Sequence, residues 1–278
     1  MNHISTRLAL ITILIFTAAC ATKIPVRALQ LADDDGKNRA PITAAEVTVW
    51  INKANETWAK RGYKFVFDEE KDFQQINSTV LNSQPPDGDN ASWDYYKTVG
   101  NFVSSLLPST HINVLFRDRG GAGWSWGPGD TDFVSMPSYT NTCISKPTPG
   151  KACPNGCCPN DTLLSHEIGH YLGLAHTFTG TKCNQVNLSN TDGDRYGQLG
   201  NDASDDVADT NPDPSAACAP TSSLSCAGGS VMVNGVTFVP PWTNIMSYHD
   251  CLPEKITKGQ KAVIKRSLKQ ASRKGLVD

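Results

Sequence analysis

The sequence predicts a mixed α/β fold of the α+β class, and three observations support this. Helical apolar periodicity alternates with short β-branched stretches up to residue 172, and irregular chain dominates the rest. The 22 Gly and 17 Pro residues favour turns and long connections over a helical bundle. A length of 278 residues suits one large domain or two modest ones with a substantial core.

The elements of the first half follow one another from residue 43. Thr43-Ala44-Ala45-Glu46 is a capping box, in which Thr and Glu each satisfy a free amide at a helix start. The helix then shows an apolar face as far as Gly62, formed by Val47, Trp50, Ile51, Ala54 and Trp58. Strands are predicted at 63–67, 111–117 and 133–136, with a second helix at 93–107.

Two further helices are predicted in the second half of the chain. One spans 161–172. Beyond residue 176 the sequence is long, irregular and rich in Asp. A last helix opens with a second capping box, Thr257-Lys258-Gly259-Gln260, and closes near Gly275.

The first twenty residues have the pattern of an export signal, with Arg7 before an apolar run at 8–16 that is too short to span a membrane. Thr17-Ala18-Ala19-Cys20 allows two interpretations. Either Cys20 is lipidated, as in bacterial lipoproteins, or the signal is cleaved near Ala21. Both predict a protein that is secreted or anchored at the cell surface.

Residues 21–41 are interpreted as a polar linker or a short pro-segment, and the folded domain is predicted at 42–278. In the pro-segment version, Asp33, Asp34 or Asp35 coordinates a metal in a precursor, and cleavage near Lys37 or Arg39 releases it. The simple alternative is a tether.

The cysteines also indicate export. Nine are present, and removal of Cys20 leaves eight, all between Cys143 and Cys251. An even number in an exported chain predicts disulfides, although eight cysteines allow 105 pairings. A second zinc site at 153–158 is the weaker alternative, because the paired spacing of a zinc ribbon is missing.

The charge balance points to no highly charged partner. The net charge is −2, and charged residues make up 19% of the chain. The sequence therefore predicts no nucleic-acid partner, and contact with a membrane only through Cys20. It predicts no oligomeric state.

The stretch 166–176 contains three of the six histidines in the chain. His166 and His170 are four residues apart, so on a helix both side chains lie on one face and can bind the same ion. Glu167 lies on the adjacent flank. Gly173 adopts positive φ at low cost and can end the helix, so that His176 returns toward the ion from outside it.

Three imidazoles with one open position are the ligand set of a catalytic zinc site. Zinc lowers the pKa of its bound water to roughly 7, and Glu167 is then the predicted general base. The alternative is an amphipathic helix with exposed histidines, which Gly173 and His176 disfavour. Of the other histidines, His3 lies in the export signal, and His111 and His249 are interpreted as ordinary residues.

The long motif resembles that of the metzincin zinc proteases, and the second half of the chain resembles one branch of them, the pappalysins. The matching stretches are His176-Thr177-Phe178, Asp206 to Pro212, Asn244-Ile245-Met246-Ser247-Tyr248, the helix opening at Thr257, and the cysteines Cys183, Cys218, Cys226 and Cys251. The resemblance covers roughly residues 124–268 and is strongest after residue 166.

This resemblance implies a domain in two parts. A twisted mixed sheet with backing and active-site helices (42–176) lies above the cleft, and an irregular, disulfide-linked part (177–278) lies below it. Met246 is expected to form the floor under the histidines. Tyr248 is expected beside the metal, either hydrogen-bonding the developing oxyanion or simply packing as an aromatic. The departures are Ser247, Asn211 and four additional cysteines before the active-site helix.

Two further hypotheses concern loops. The acidic stretch 192–209 has the oxygen ligands that suit calcium, and members of the resembled family often bind calcium here. A solvated acidic loop is the alternative. Its aspartates are Asp192, Asp194, Asp202, Asp205, Asp206 and Asp209. The stretch 121–126 is either the edge strand that pairs with an extended substrate or a plain turn-rich connection.

The predicted function is a zinc-dependent endopeptidase that acts on polypeptides. The first rival is a non-catalytic surface protein on a protease scaffold, which the intact Glu167 disfavours. The second rival is another hydrolase with the same zinc ligands, which the expected Met-turn and edge strand disfavour. Substrate preference cannot be derived from the sequence.

Overall fold

The structure is a computed structural model of the chain. It describes residues 21–83, 90–107, 110–118, 123–125, 132–137, 143–144, 158–159, 162–178, 205, 207–214, 226–233, 235–249, 251 and 255–277. In this part of the chain, no helix is long and apolar enough to cross a membrane.

A six-stranded, mostly parallel sheet forms the centre of the fold. Its strands are β1 (Thr22–Ala32), β2 (Tyr63–Val66), β3 (Phe73–Asn77), β4 (Ile112–Arg117), β5 (Trp124–Ser125) and β6 (Phe133–Pro137). The order is β2-β1-β4-β6-β5, and β3 pairs with the second half of β1. Only β5 is antiparallel to its neighbour, and it lies at one end of the order.

Helices cover both faces of the sheet. The α-helices are α1 (Ala44–Trp58), α2 (Thr79–Asn82), α3 (Asn90–Leu106), α4 (Leu163–Tyr171) and α5 (Lys258–Ser267). Two 3₁₀ helices follow α1 and α5, at Ala59–Arg61 and Ala271–Leu276. Two small antiparallel pairs complete the described elements: β7 (Cys143–Ile144) with β8 (Cys158–Pro159), and β9 (Val231–Val233) with β10 (Val236–Phe238).

Alternation along β1 divides the core into two layers. Ile24, Val26 and Ala28 belong to the main cluster, which includes buried residues of α1 and α4. Leu29 and Leu31 belong to a second cluster with Val99 and Val103 of α3. Because neighbouring side chains on a strand point to opposite faces, α1 and α4 lie on one side of the sheet and α3 on the other.

Aromatic packing fixes α1 against the sheet and the motif helix. Trp50 stacks on Phe116 of β4 with ring centroids 5.6 Å apart. Trp58 meets Phe65 edge to face at 5.4 Å, and its Nε1 donates a hydrogen bond to Ser165 Oγ of α4 at 2.9 Å. The helix that carries the histidines is therefore attached to the core through α1.

The prediction of a mixed α/β fold is confirmed. Both capping boxes are formed, at Thr43 with Glu46 and at Thr257 with Gln260. Gly62, with φ of 89°, closes the turn before β2. The elements that were not predicted include β1, β3, α2 and the two small strand pairs, β7 with β8 and β9 with β10.

The interpretation of residues 21–41 as a linker or pro-segment is wrong for most of that segment. Residues 22–32 form β1, which pairs with three strands and is largely buried. Its sequence lacks the strong apolar run of a typical buried strand, because Lys23, Arg27 and Gln30 interrupt it. The folded domain therefore includes residues 22–32, and loss of this segment would remove an interior strand of the sheet.

The Asp-rich stretch that follows β1 is a turn with its own contacts. Asp33 Oδ1 accepts a hydrogen bond from Asn82 Nδ2 at 2.9 Å, and the Asp34 backbone N–H donates to Thr79 Oγ1 at 3.0 Å. These contacts attach the turn to α2.

Candidate metal centre and active site

Helix α4 carries the first two predicted ligands. It ends at Tyr171, and Gly173 adopts φ of 90° while its N–H donates to the His170 carbonyl oxygen at 2.8 Å. This left-handed residue reverses the chain, as the sequence predicted. As a result, His176 lies beside His166 and His170 instead of continuing the helix.

The three imidazoles converge on one point through their Nε2 atoms. The Nε2 atoms are 3.1 Å apart for His166 and His170, 3.0 Å for His170 and His176, and 3.2 Å for His166 and His176. This trio is the one cluster of potential metal ligands within the described residues.

Backbone carbonyls fix the orientation of two of these rings. His166 Nδ1 donates to the Ile245 carbonyl oxygen at 2.6 Å, and His170 Nδ1 donates to the Leu174 carbonyl oxygen at 2.7 Å. A carbonyl can only accept, so the proton is assigned to Nδ1 and the Nε2 lone pair faces the cluster.

Burial keeps the rings neutral. It lowers the pKa of His166 to about 4 and, together with the neighbouring His166, the pKa of His170 to about 3. It also places the pKa of His176 well below its usual value. Neutral imidazole is the form that binds a metal.

The donor set fits zinc. Nitrogens bound at about 2.0–2.1 Å to a tetrahedral ion lie roughly 3.3 Å apart, close to the observed spacing. Lone pairs that face one another at about 3 Å repel unless a cation lies between them. Three nitrogen ligands also leave one tetrahedral position for water or substrate.

Glu167 is buried beside this cluster. Its Oε2 has no hydrogen-bond partner among the described residues. Burial raises the pKa of Glu167 to about 8, while the Arg117 guanidinium and a hydrogen bond from the Ser125 backbone oppose the rise. A bound dication would lower this pKa further. An orphaned carboxylate oxygen next to a metal site suits a group that handles the proton of a metal-bound water.

The strand β5 closes over Glu167. A Cβ at Gly123 would lie 2.9 Å from Glu167 Cγ and 3.1 Å from Met136 Sδ, so glycine permits the close approach. Strand β5 is at the sheet edge, where part of the stretch 121–126 was predicted to lie. Residues 121, 122 and 126 are outside the described part. Sequence analysis gave no role to Gly123 or to the buried Arg117, because single residues carry no periodic signal.

The Met-turn lies beneath α4. Met246 is fully buried, and its Sδ lies too close to Gly169 to leave room for a Cβ there. The Met246 backbone N–H donates to Asn244 Oδ1 at 2.9 Å, and Asn244 Nδ2 donates to Gln260 Oε1 at 2.9 Å. The cap residue of α5 therefore holds the turn in place.

Tyr248 lies next to the histidines with its side chain open to solvent. Its relative exposure is 55%. Its ring centroid is 4.7 Å from that of His176 and 5.5 Å from that of His166. Phe178 stacks on the other side of His176 at 4.8 Å, with an interplanar angle of 9°.

The described aspartates of the acidic stretch have structural partners. Asp209 accepts hydrogen bonds from the backbone of Gly259 at 3.0 and 3.2 Å, at the start of α5. Asp205 is buried and accepts from Gln260 Nε2 at 3.2 Å. The other four aspartates lie outside the described residues: Asp192, Asp194, Asp202 and Asp206. The calcium hypothesis has no support within the described part and stays a prediction.

One disulfide lies within the described part, between Cys226 and Cys251. It supports the prediction of disulfides in the lower part of the fold. The cysteines at 153, 157, 183 and 218 lie outside the described residues, as do Cys20 and the export signal.

Comparison with known proteins defines the class. Residues 153–269 match the model of the peptidase family M43, described as pregnancy-associated plasma protein-A. The match contains the whole histidine motif and the Met-turn. Over these residues the chain is similar to the pappalysin family of metallopeptidases, as its sequence motifs indicated.

One relative is extracellular metalloprotease 1 of the fungus Coccidioides posadasii strain C735. It is 28% identical over 222 residues, which cover 76% of this chain and 63% of the relative. The chain therefore spans less than two thirds of that protein. A solved structure titled as a chaperone–substrate complex overlaps 58% of this chain and 26% of its own, at 15% identity and a TM-score of 0.30. Similarity at that level carries no functional argument.

Proposed function

We propose that the chain is a zinc-dependent endopeptidase that hydrolyses peptide bonds in extended polypeptides. The observation that carries this proposal is the convergence of three neutral imidazoles, two of them oriented by backbone carbonyls, beside a buried glutamate with an unpartnered oxygen. The match of residues 153–269 to the model of a peptidase family supports the same class of reaction.

Each residue of the site has its own role in this mechanism. His166, His170 and His176 hold the zinc ion through Nε2. When bound, such an ion activates a water and polarises the scissile carbonyl. Glu167 accepts the proton of that water at Oε2 and returns it to the leaving amine. The phenol hydroxyl of Tyr248 donates a hydrogen bond to the developing oxyanion. Strand β5 supplies an edge along which an extended substrate pairs.

We also propose that the protein is exported, either secreted or lipidated at Cys20. The extracellular nature of the relative supports this proposal. Only Ala21 separates Cys20 from β1, so a lipid would hold one end of the sheet at a membrane surface. Mass spectrometry of the mature N-terminus decides between the two: an acylated Cys20 supports lipidation, and a free N-terminus beyond it excludes lipidation.

The test of the mechanism is Glu167→Gln. This change keeps the shape of the side chain and the three ligands but removes the base. Zinc content is expected to stay at about one per chain, while cleavage of a diverse peptide library falls by at least about 10²-fold. His170→Gln is expected to lose both zinc and activity. Glu56→Gln, at an exposed site on α1, is the matched control and is expected to change neither.

Two results would overturn parts of this proposal. If Glu167→Gln cleaves peptides as fast as the unaltered protein, Glu167 is not the base. If the zinc-loaded unaltered protein cleaves no peptide in the library, with or without chelator, the non-catalytic surface protein becomes the better account.

A further inference from the structure

A buried hydrogen-bond cluster around Asp213 lies beside the proposed active site. Asp213 Oδ2 accepts hydrogen bonds from Thr177 Oγ1 at 2.6 Å and from Ser247 Oγ at 3.2 Å. Its Oδ1 accepts from His249 Nε2 at 2.8 Å. The side chains of Asp213 and His249 are both fully buried. One carboxylate thus joins two segments, at residue 177 and at residues 247–249, that are distant from it and from each other in sequence.

The first segment carries the third zinc ligand. Thr177 directly follows His176, and its backbone N–H donates to the Met246 carbonyl oxygen at 3.1 Å. The backbones of Phe178 and Asp213 form a parallel β-bridge. Phe178 in turn stacks on the His176 ring, with ring centroids 4.8 Å apart. Asp213 therefore holds the segment of this ligand twice, by its backbone at Phe178 and by its side chain at Thr177.

The second segment carries Tyr248. Its two neighbours in the chain, Ser247 and His249, both bind the Asp213 carboxylate. In addition, the His249 backbone N–H donates to Ser247 Oγ at 3.2 Å. The backbone on either side of Tyr248 is therefore fixed, which aims the exposed phenol ring at the histidines.

His249 also packs against a small apolar cluster that includes a disulfide. The His249 ring packs on Trp242 with centroids 4.4 Å apart. Trp242 belongs to a small apolar cluster with Val233, Phe238 and Cys251, and Cys251 is bonded to Cys226. The imidazole of His249 thus connects Asp213 to the disulfide-linked part of the domain.

We propose that Asp213 is a positioning residue that sets His176 and Tyr248 relative to each other, with His249 as its anchor. The part that concerns Tyr248 rests on the proposed peptidase function, while the part that concerns His176 requires only metal binding. Asp213 touches neither the metal nor the substrate and acts through the segments that it holds.

The physical basis is the cost of loosening a metal ligand and a catalytic side chain together. Removal of this carboxylate takes the acceptor away from three donors in or beside a buried cluster, which costs free energy. Partners of this outer kind change metal affinity or activity by about 10- to 100-fold when they are altered. The spacing of His176 and Tyr248 is therefore expected to depend on Asp213.

The first test needs no activity. Asp213→Asn keeps the volume but removes the charge and one acceptor oxygen. The dissociation constant for zinc, measured by competition with a chelator, is expected to rise about 10-fold or more. The matched control is Asp72→Asn. It alters the other described Asp–His contact, in which Asp72 Oδ1 lies 3.4 Å from His111 Nε2, away from the histidine motif. Its zinc affinity is expected to stay within about twofold. Unchanged affinity in Asp213→Asn would overturn the role at His176.

The second test is a double-mutant cycle on peptide cleavage with Tyr248→Phe. In the unaltered background, Asp213→Asn at saturating zinc is expected to lower kcat about 10-fold and to leave KM nearly unchanged. In the Tyr248→Phe background, the further loss is expected to be under about threefold. Equal losses in both backgrounds would show that Asp213 does not act through Tyr248.

Ser247→Ala provides a milder variant in case Asp213→Asn does not fold. It removes one donor to Asp213 at a half-buried site. The same coupling with Tyr248→Phe is expected at about threefold in kcat, and independent effects of the two changes would overturn the proposal. If the unaltered protein cleaves nothing, the peptidase assignment fails, and the zinc titration still decides the role of Asp213 at His176.

Discussion

At the scale of single residues, the site depends on close approaches that only glycine allows. Met246 Sδ would clash with the Cβ of any other residue at 169, and Glu167 approaches Gly123 almost as closely. Two glycines thus let the Met-turn and the edge strand contact the motif helix directly. These contacts explain glycine at 169, which the ligand spacing alone does not require.

Gly169→Ala is expected to destabilise the protein by about 1–3 kcal/mol, the usual cost of overpacking, despite the better helix propensity of alanine. Urea unfolding of the zinc-bound protein measures the change. In a Met246→Ala background the sulfur is gone, so the same substitution is expected to cost much less. An equal cost in both backgrounds would show that Met246 is not the obstacle.

The buried histidines also predict how the stability of the metal-free protein depends on pH. Unfolded imidazoles titrate near pH 6.5, whereas the folded pKa is about 4 for His166 and about 3 for His170. The unfolded state therefore binds more protons between these values, so the free energy of unfolding falls as pH drops from about 6.5 toward 4.

We expect the Tm of metal-free protein to fall by at least about 3 °C between pH 7 and pH 5, because 1 kcal/mol corresponds to roughly 2–4 °C in a chain of this size. Replacing His170 by Gln removes one of these titrations and is expected to flatten the decrease. A variant that retains the full pH dependence would contradict this origin.

At the scale of elements, helices α5 and α1 contact the site through side chains at their ends. Helix α5 begins with the capping box of Thr257 and Gln260, and Gln260 also binds Asn244 of the Met-turn. Helix α1 ends at Trp58, which hydrogen-bonds to Ser165 of α4. Local helix caps and tertiary contacts at the site therefore share side chains.

Thr257→Ala is expected to cost about 1 kcal/mol of stability, the usual value of a lost cap, and to leave zinc affinity unchanged. Thr43→Ala, in the other capping box, is the matched control with the same expectation. Gln260→Ala is expected to cost more and to weaken zinc binding, since it also releases Asn244. Thermal unfolding with chelator competition measures both quantities. Similar effects of Thr257→Ala and Gln260→Ala would contradict the link to the Met-turn.

At the scale of the whole molecule, β1 is the strand that the sheet requires most. It pairs with β2, β3 and β4, and its buried residues contribute to the core on both faces. Strands β2, β3 and β4 all run parallel to β1. Parallel neighbours cannot be joined by a short hairpin, so no local rearrangement of the chain would fill the place of β1.

A protein that begins at Ala40 is expected to be unfolded, with no cooperative thermal transition and no stoichiometric zinc binding. A protein that begins at Ala21 is expected to fold and to bind zinc. Circular dichroism and zinc analysis measure both. If the shorter protein were folded and as active as the longer one, residues 21–39 would be a dispensable segment after all.

The sequence by itself determined the local features of this protein. The spacing of His166 and His170, the helix end at Gly173 and the two capping boxes follow from helix geometry within a few residues, so periodicity and residue type were sufficient. The class of chemistry followed from the same eleven residues. Strand β1 was missed because its pairing partners lie far along the chain and its charged residues obscure its apolar faces.

Only the tertiary structure decided which distant residues support the site. Asp213 is 36 residues from both Thr177 and His249, and Ile245 is 79 residues from the His166 ring that it orients. No periodicity connects such residues, because their contact depends on how distant stretches of the chain pack. A helix fixes neighbours through its own hydrogen bonds, whereas burial of the whole core is needed to bring one carboxylate to two separate segments.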